Sequence, residues 1–151
     1  MSCVRIVLMT LGAIFVAAPG ILFGAGGSRQ VVPYQEGQAI RLSADLGGVR
    51  ATELRITPDQ QRMTDPLLPP HGGQSRFSWR RYDLHLENST GERKRVKVLL
   101  RLLDGSGAVI DEFRLEGSIS KGRTKKISLR RLTLNYAVPL IAKVEVSLEA
   151  E

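Results

Sequence analysis

The chain has 151 residues, of which 22 are Lys or Arg and 15 are Asp or Glu, so its formal net charge is +7. The single cysteine, Cys3, excludes an intramolecular disulfide and a zinc site built on several cysteines. The basic excess points to anionic ligands or acidic partners.

The N-terminal residues have the pattern of an export segment. Arg5 is followed by 23 uncharged positions, residues 6–28, in which an apolar stretch gives way to small residues. A basic start, an apolar stretch and small residues are typical of a secretory signal peptide. A run of this length also suffices to span a bilayer, so an inner-membrane anchor over residues 6–25 is the alternative. We therefore assign residues 1–26 to a signal peptide or membrane anchor.

Either form of this segment delivers the rest of the chain outside the cytoplasm, to the periplasm or the exterior. Pro19 and Gly20 interrupt a straight helix and favour cleavage, for which Gly24 and Gly26 offer small residues. No nucleic-acid partner is expected in that compartment. The basic residues would instead meet anionic lipid, anionic envelope polymer or an acidic protein.

The next residues predict the start of a β-domain. Residues 27–38 show no clear period and are predicted to be a flexible lead-in. Over residues 39–46 apolar and polar positions alternate, with Ile40, Leu42 and Ala44 on the apolar side. That period of two is the pattern of a half-buried strand.

A second strand and a long loop follow. The strand is predicted at residues 49–57, with Leu54 and Ile56 inward. Residues 58–73 are rich in proline and glycine and have no period, which predicts an exposed loop. Loops of this length in a compact domain are often functional.

The strand signals are stronger after this loop. Further strands are predicted around residues 82–87, 95–102, 109–115, 127–129 and 142–149, with a tight hairpin turn at residues 104–107. No convincing helix is predicted beyond the export segment. About seven short strands separated by turns predict an all-β fold: an immunoglobulin/fibronectin-like antiparallel β-sandwich over residues 39–151.

Residues 84–129 combine two turns, an alternating strand and a hairpin in a characteristic order. Asn88 lies in the first turn and Gly122 in the second, and the strand leads into the hairpin through Leu100, Leu103 and Asp104. This order resembles that of the FxLYD-type extracytoplasmic immunoglobulin-like β-sandwich domains, with leucine in place of both aromatic residues of their motif. The resemblance implies a sandwich outside the cytoplasm with a binding or interaction role, and it carries over no catalytic residue.

Few residues point to catalysis or metal binding. The two histidines, His71 in the long loop and His85 on the polar side of a strand, have no ligand-like spacing, and no nucleophile motif is present. Acidic residues near the hairpin could bind calcium, but a turn stabilised by Asp104 is the better reading. We therefore predict no catalytic residue, no metal site and no cofactor.

Two surfaces are candidate binding sites. The candidate basic patch consists of Lys121, Arg123, Lys125, Lys126, Arg130 and Arg131. The candidate aromatic–arginine surface consists of Phe77, Trp79, Arg80, Arg81 and Tyr82. Aromatic residues beside arginines are enriched at interaction hot spots, whereas a central Trp of a sandwich is often core, and we favour the core for Trp79.

These observations favour a non-catalytic exported envelope protein that acts as a protein–protein interaction module. The alternative is a binder of anionic envelope polymer or of a membrane surface through the basic patch. A salt-sensitive interaction is expected only of the alternative.

Overall fold

The computed structural model describes residues 28–59 and 77–150, and this part of the chain is all-β. Its elements are β1 (Ser28–Pro33), β2 (Ala39–Arg41), β3 (Asp45–Leu46), β4 (Val49–Asp59), β5 (Phe77–Asn88), β6 (Lys94–Leu103), β7 (Val109–Ile119), β8 (Thr124–Leu134), a 3-10 helix (Val138–Leu140) and β9 (Lys143–Ala150). The predicted export segment at residues 1–26 lies outside the described residues. Within the described ranges no helix is long and apolar enough to cross a membrane.

Two antiparallel sheets form a sandwich-like fold. Sheet I has the strand order β1-β9-β6-β7, and sheet II has the order β2-β4-β5-β8, with β3 also paired to β4. The chain crosses from one sheet to the other between β1 and β2, between β5 and β6, between β7 and β8, and between β8 and β9. The edge strands β7 and β8 approach each other closely at Gly117. A Cβ atom at this position of β7 would lie only 2.6 Å from Ile127 Cδ1 of β8, so glycine is needed for the close contact.

The core lies between the sheets and follows the predicted alternation. The fully buried residues of the two sheets include Leu54, Ile56, Leu84 and Leu86 of sheet II and Val98, Leu100, Leu102, Val144 and Val146 of sheet I, each 0% exposed. Tyr82 of β5 stacks at a tilt on Phe113 of β7, with 4.7 Å between ring centroids, and so joins the sheets. Apolar burial on this scale is the main stabilising contribution to a domain without disulfides.

The N-terminal end of the domain corrects one prediction. Residues 28–33 were expected in a flexible lead-in, but they form β1, which pairs with β9 from Ser28 opposite Leu148 to Pro33 opposite Lys143. β1 has only six residues and buries little apolar surface, so its sequence shows no alternation long enough to predict a strand. The strand exists because β9 offers it a ladder of backbone partners.

Other strand boundaries also differ from the sequence prediction, and β5 and β8 are longer than expected. The single strand expected at residues 39–46 is divided into β2 and β3, although the apolar side of the alternation is buried as predicted. Pro58 and Asp59 were assigned to the long loop but extend β4, and the rest of that loop lies outside the described residues. Pro58 is tolerated because β2 pairs only with residues 53–55 of β4, so its missing N–H interrupts no bond to β2.

A row of alternating charges crosses the outer face of sheet I. The Glu145 side chain of β9 is only 2% exposed, and it accepts hydrogen bonds from Arg29 of β1 and, at 3.2 Å, from Arg101 of β6. Arg101 Nε also lies 2.6 Å from Glu112 Oε2 of β7. Hydrogen bonding to Glu112 is the main cause that raises the pKa of Arg101 above its ordinary value. The row links all four strands of the sheet.

Asn88 holds one end of the sandwich together. Its residue is 0% exposed, and its side-chain amide Nδ2 lies 2.7 Å from the Glu92 carbonyl and 3.2 Å from the carbonyls of Ile119 and Ser120. Its Oδ1 accepts from the Thr90 N–H at 3.0 Å. One side chain at the end of β5 therefore ties the β5–β6 turn to the β7–β8 connection.

The hairpin between β6 and β7 forms as the sequence predicts. Asp104 Oδ1 accepts from the N–H groups of Ser106 and Ala108, each at 2.9 Å, and from the Ser106 hydroxyl. These bonds, led by the one from the Ser106 hydroxyl, hold the pKa of Asp104 below its ordinary value. The predicted turn role of Asp104 is confirmed.

Candidate interaction surface

The candidate surface lies where β5 and β8 pair at the edge of sheet II. The two strands pair antiparallel, with Phe77 opposite Leu134, Trp79 opposite Leu132 and Arg81 opposite Arg130. Side chains alternate between faces, and Tyr82 and Leu84 occupy the inner face, so these pairs lie on the outer face. We call the four residues Phe77, Trp79, Leu132 and Leu134 the apolar corner.

The apolar corner is partly accessible to solvent. Phe77 is 44% exposed and Leu132 is 37% exposed, while Trp79 and Leu134 are half-buried. Such cross-strand apolar pairs stabilise a sheet, yet on an outer face they also leave apolar surface in contact with water. The corner therefore has the chemistry of a contact surface.

Charged side chains border the corner and fix the orientation of Trp79. The Arg130 guanidinium lies 5.3 Å from the centroid of the Trp79 ring, in a cation–π contact. Arg130 Nε also lies 2.6 Å from Asp59 Oδ2, and Arg81 reaches the same oxygen at 3.4 Å. Because Asp59 is on β4, opposite Trp79, it orients both arginines beside the ring.

The expected core position of Trp79 is wrong. Burying both Trp79 and Tyr82 would need a bulge in β5, but β5 pairs with β8 without any register shift. Strict alternation then directs Trp79 outward and Tyr82 inward, where Tyr82 is 0% exposed. Phe113 of the other sheet supplies the aromatic partner that Tyr82 needs in the core.

The predicted aromatic–arginine surface is consequently divided between two faces. Phe77, Trp79 and Arg81 lie outside, whereas Arg80 and Tyr82 lie inside. Arg80 is 7% exposed and its Nε donates to Glu36 Oε1 at 2.7 Å, while its Nη1 donates to Ser78. Neither Glu36 nor Ser78 carries a sequence signal for this role, because both become neighbours of Arg80 only through folding.

The inner face holds three buried hydroxyl groups beside Arg80. Among the described residues, the hydroxyl oxygens of Tyr34, Tyr82 and Thr133 have no hydrogen-bond partner. Burial raises the pKa of both Tyr82 and Tyr34 above its ordinary value, since the ionised form would lose its hydration. A smaller contribution comes from the proximity of Tyr34 to Tyr82 and of Glu36 to Tyr34.

Replacing Tyr82 by phenylalanine is expected to raise the free energy of unfolding at neutral pH by up to about 1 kcal/mol, because a buried hydroxyl without a well-formed hydrogen bond is removed. The raised pKa gives a second expectation. Because the Tyr82 pKa is raised only in the folded chain, Tyr82 leaves the stability of the protein independent of pH below about pH 10. Above that pH the unfolded chain ionises more readily than the folded one, so the free energy of unfolding falls. Denaturant titrations across this alkaline range should show a shallower loss of stability for Tyr82→Phe. A destabilised variant at pH 7 would contradict the prediction.

The predicted basic patch is not one surface either. Arg130 lies on the outer face with Asp59, whereas Arg131 points inward, 3.2 Å from Asp111 and over the Phe113 ring. The other four members are exposed cations in the β7–β8 turn or near the start of β8: Lys121, Arg123, Lys125 and Lys126. The alternation of a strand separates residues that are adjacent in sequence.

The edge of β8 carries a pair of cations near each end. Lys125 and Lys126 stand near its start, and Arg130 and Arg131 near its end. In the described part of the chain, β8 is the last strand of its sheet. Cationic side chains on an edge strand discourage indiscriminate pairing with other strands. Arg130 and Arg131 are paired with Asp59 and Asp111, whereas Lys125 and Lys126 have no carboxylate within ion-pair distance in the described part of the chain.

The acidic and histidine side chains show no arrangement for metal binding within residues 28–59 and 77–150. His85 is exposed on the outer face, opposite Glu53 on one side and Lys126 on the other, as expected for a solvated position. The prediction for His71 lies outside the described residues.

Comparisons with known proteins add little to this geometry. No protein-family model and no curated protein matches the chain. Among solved structures, a β-glucuronidase from glycoside hydrolase family 2 is similar over 43% of this chain, with 17% sequence identity and a TM-score of 0.37. The matched part is 7% of that enzyme chain. Fold and site together describe an all-β, sandwich-like protein with a partly exposed apolar corner beside arginines at one sheet edge.

Proposed function

We propose that the chain is a non-catalytic, exported envelope protein whose β-domain docks another protein at the β5–β8 edge. The occupant is an extended segment of a partner protein that pairs with β8 and presents carboxylates beside one part of the strand and apolar side chains beside the other. The observation that carries this proposal is the apolar corner next to an edge strand with paired cations.

Two features of the edge select such a segment. A strand added to β8 extends sheet II, and backbone hydrogen bonds then supply affinity that does not depend on sequence. Its outward apolar side chains would lie beside Leu132 and Leu134, while its carboxylates would meet Arg130 and Lys126. The ring of Trp79, held between Arg130 and Leu132, is a rigid anchor of the kind that dominates binding energy.

The export pattern and the fold support the location and the architecture of the proposal. We propose that residues 1–26 direct export and that the remaining sandwich has the immunoglobulin/fibronectin-like arrangement, in which chain crossings between two antiparallel sheets recur. Cleavage after Gly24 or Gly26 would leave β1 whole, since β1 begins at Ser28. Sequencing of the N-terminus of protein from the envelope fraction distinguishes cleavage from a retained anchor.

The docking proposal predicts that Leu132→Glu strongly weakens partner capture. The tagged protein is incubated at low and at high salt with an envelope extract of its source cells, and the captured proteins are identified. The affinity of each purified partner for the original chain and for the variant is then measured. A charge placed in the apolar corner removes apolar contact and repels carboxylates, so we expect the affinity to fall by tenfold or more, which is about 1.4 kcal/mol. Val109→Glu is the matched control, because Val109 is an exposed apolar residue of the other sheet, at 54% exposure.

The salt dependence of capture distinguishes this function from the second candidate. The second candidate is a binder of anionic polymer or membrane through the exposed cations of the β7–β8 turn. Those cations, led by Lys121 and Arg123, have no carboxylate within ion-pair distance in the described part of the chain. A discrete protein retained at high salt and lost with Leu132→Glu supports docking. Recovery of lipid or polymer alone, lost as salt rises, supports the second candidate and contradicts the first.

A further inference from the structure

A cavity lies at the end of sheet I where the chain passes from β7 towards β8. Its volume is about 570 Å³, and it is lined by Arg93, Arg95, Glu116, Gly117 and Ser118. Arg95 of β6 lies opposite Ser118 of β7, so the two strands form the floor of the cavity. Basic residues that are far apart in sequence, near residue 94 and near residue 125, come together here.

Hydrogen-bond donors converge on Ser118. Arg93 Nη2 donates to Ser118 Oγ at 2.7 Å, and because the hydroxyl accepts this bond, its own proton remains available for donation. Lys125 Nζ donates to the Ser118 carbonyl at 3.0 Å and retains further N–H groups. Within residues 28–59 and 77–150, neither Arg93 nor Lys125 has a carboxylate within ion-pair distance.

From this arrangement we infer a binding site for a phosphate group, formed by Arg93 and Ser118 with Lys125 beside them. A guanidinium matches two oxygens of an oxyanion at once, and a hydroxyl and an ammonium can donate to further oxygens. A tetrahedral phosphate offers enough oxygens for these donors, whereas a planar carboxylate has two. The phosphate is either a free ion or part of a lipid headgroup.

Glu116 places a negative charge beside the proposed phosphate site, and this charge allows a test of ligand binding. Its carboxylate lines the same cavity and repels an anionic ligand. Removing this charge should therefore tighten phosphate binding, while removing a donor should weaken it. Opposite effects of two substitutions in one cavity distinguish a ligand site from a general loss of folding.

The test uses the purified full chain with two probes, inorganic phosphate and vesicles of phosphatidylglycerol. Calorimetry measures the first and vesicle co-sedimentation the second, with phosphatidylcholine vesicles as reference. We expect Arg93→Gln and Ser118→Ala to weaken binding by about tenfold and about threefold respectively, and Glu116→Gln to tighten it by about threefold. Arg114→Gln is the matched control, because Arg114 is an exposed cation earlier on the same face of β7.

Each outcome decides the inference. Binding of inorganic phosphate by itself, with the expected variant effects, supports a free oxyanion as ligand, and binding only to phosphatidylglycerol vesicles supports a headgroup. Absence of binding to both probes overturns the site, as does a Glu116→Gln variant that binds no more tightly than the original chain. The site lies beside the exposed cations of the second candidate function, to which Lys125 connects it. It is independent of the docking proposal, because Leu132→Glu should leave phosphate binding unchanged.

Discussion

Replacing Asn88 by alanine is expected to lower the free energy of unfolding by about 3 kcal/mol, since buried groups lose their hydrogen-bond partner. The carbonyls of Glu92, Ile119 and Ser120 would lose the donor that Asn88 provides, and the fully buried site gives water little access. The turn after β5 and the connection before β8 would both loosen. Equilibrium unfolding in urea, followed by tryptophan fluorescence, measures the effect.

Two controls make the Asn88 prediction specific. Ser89→Ala removes an exposed hydroxyl that donates to the Gly48 carbonyl at 2.9 Å, and we expect it to cost less than about 1 kcal/mol. Asn88→Asp keeps the shape and the acceptor but loses the donors, so it should be nearly as harmful as Asn88→Ala. A change of less than about 1 kcal/mol for Asn88→Ala would mean that the two turns hold without it.

The second large effect is expected from the double substitution Arg29→Met with Arg101→Met. It leaves the Glu145 carboxylate, whose side chain is 2% exposed, without either of its cations. A buried charge that loses its partners is strongly destabilising, and we expect a loss of about 3 kcal/mol. Each single substitution should cost clearly less than half of that, because the remaining arginine still pairs with Glu145.

A third substitution tests the cause of that loss. Adding Glu145→Leu to the double variant removes the buried charge and should restore most of the stability, since a buried ion group replaced by apolar residues is often neutral. Thermal and urea unfolding of the single, double and triple variants give the coupling. If the triple variant stays as unstable as the double one, packing of the arginine stems, and not charge, holds β1 to the sheet.

The pattern of apolar residues predicted most of the strands correctly. The alternation correctly indicated which residues are buried, among them Ile40, Leu54, Ile56, Leu84 and Leu100. Alternate residues of a strand lie on the same face, and the apolar face packs away from water. The hairpin at residues 104–107 was predictable as well, since its turn chemistry is local. The resemblance to FxLYD-type domains stays a prediction.

Where local pattern was weak or ambiguous, prediction failed in an understandable way. β1 has too few apolar residues to be seen without β9, and Trp79 lies on the outer face although a tryptophan in a sandwich is commonly buried. Glu145 lies on the polar side of an alternating strand, yet it is buried because two arginines from neighbouring strands cover it. In each case the deciding partner is distant along the chain.

The sequence by itself determined the all-β class, the inward face of most strands, the hairpin and the basic character of the protein, because these depend on local periodicity and composition. Only the tertiary structure decided which charged and aromatic residues share a surface. It separated Arg130 from Arg131, brought Arg93 to Ser118 and placed Trp79 beside Leu132. Strand pairing and register set these neighbours, and both follow from how the whole chain buries its apolar surface.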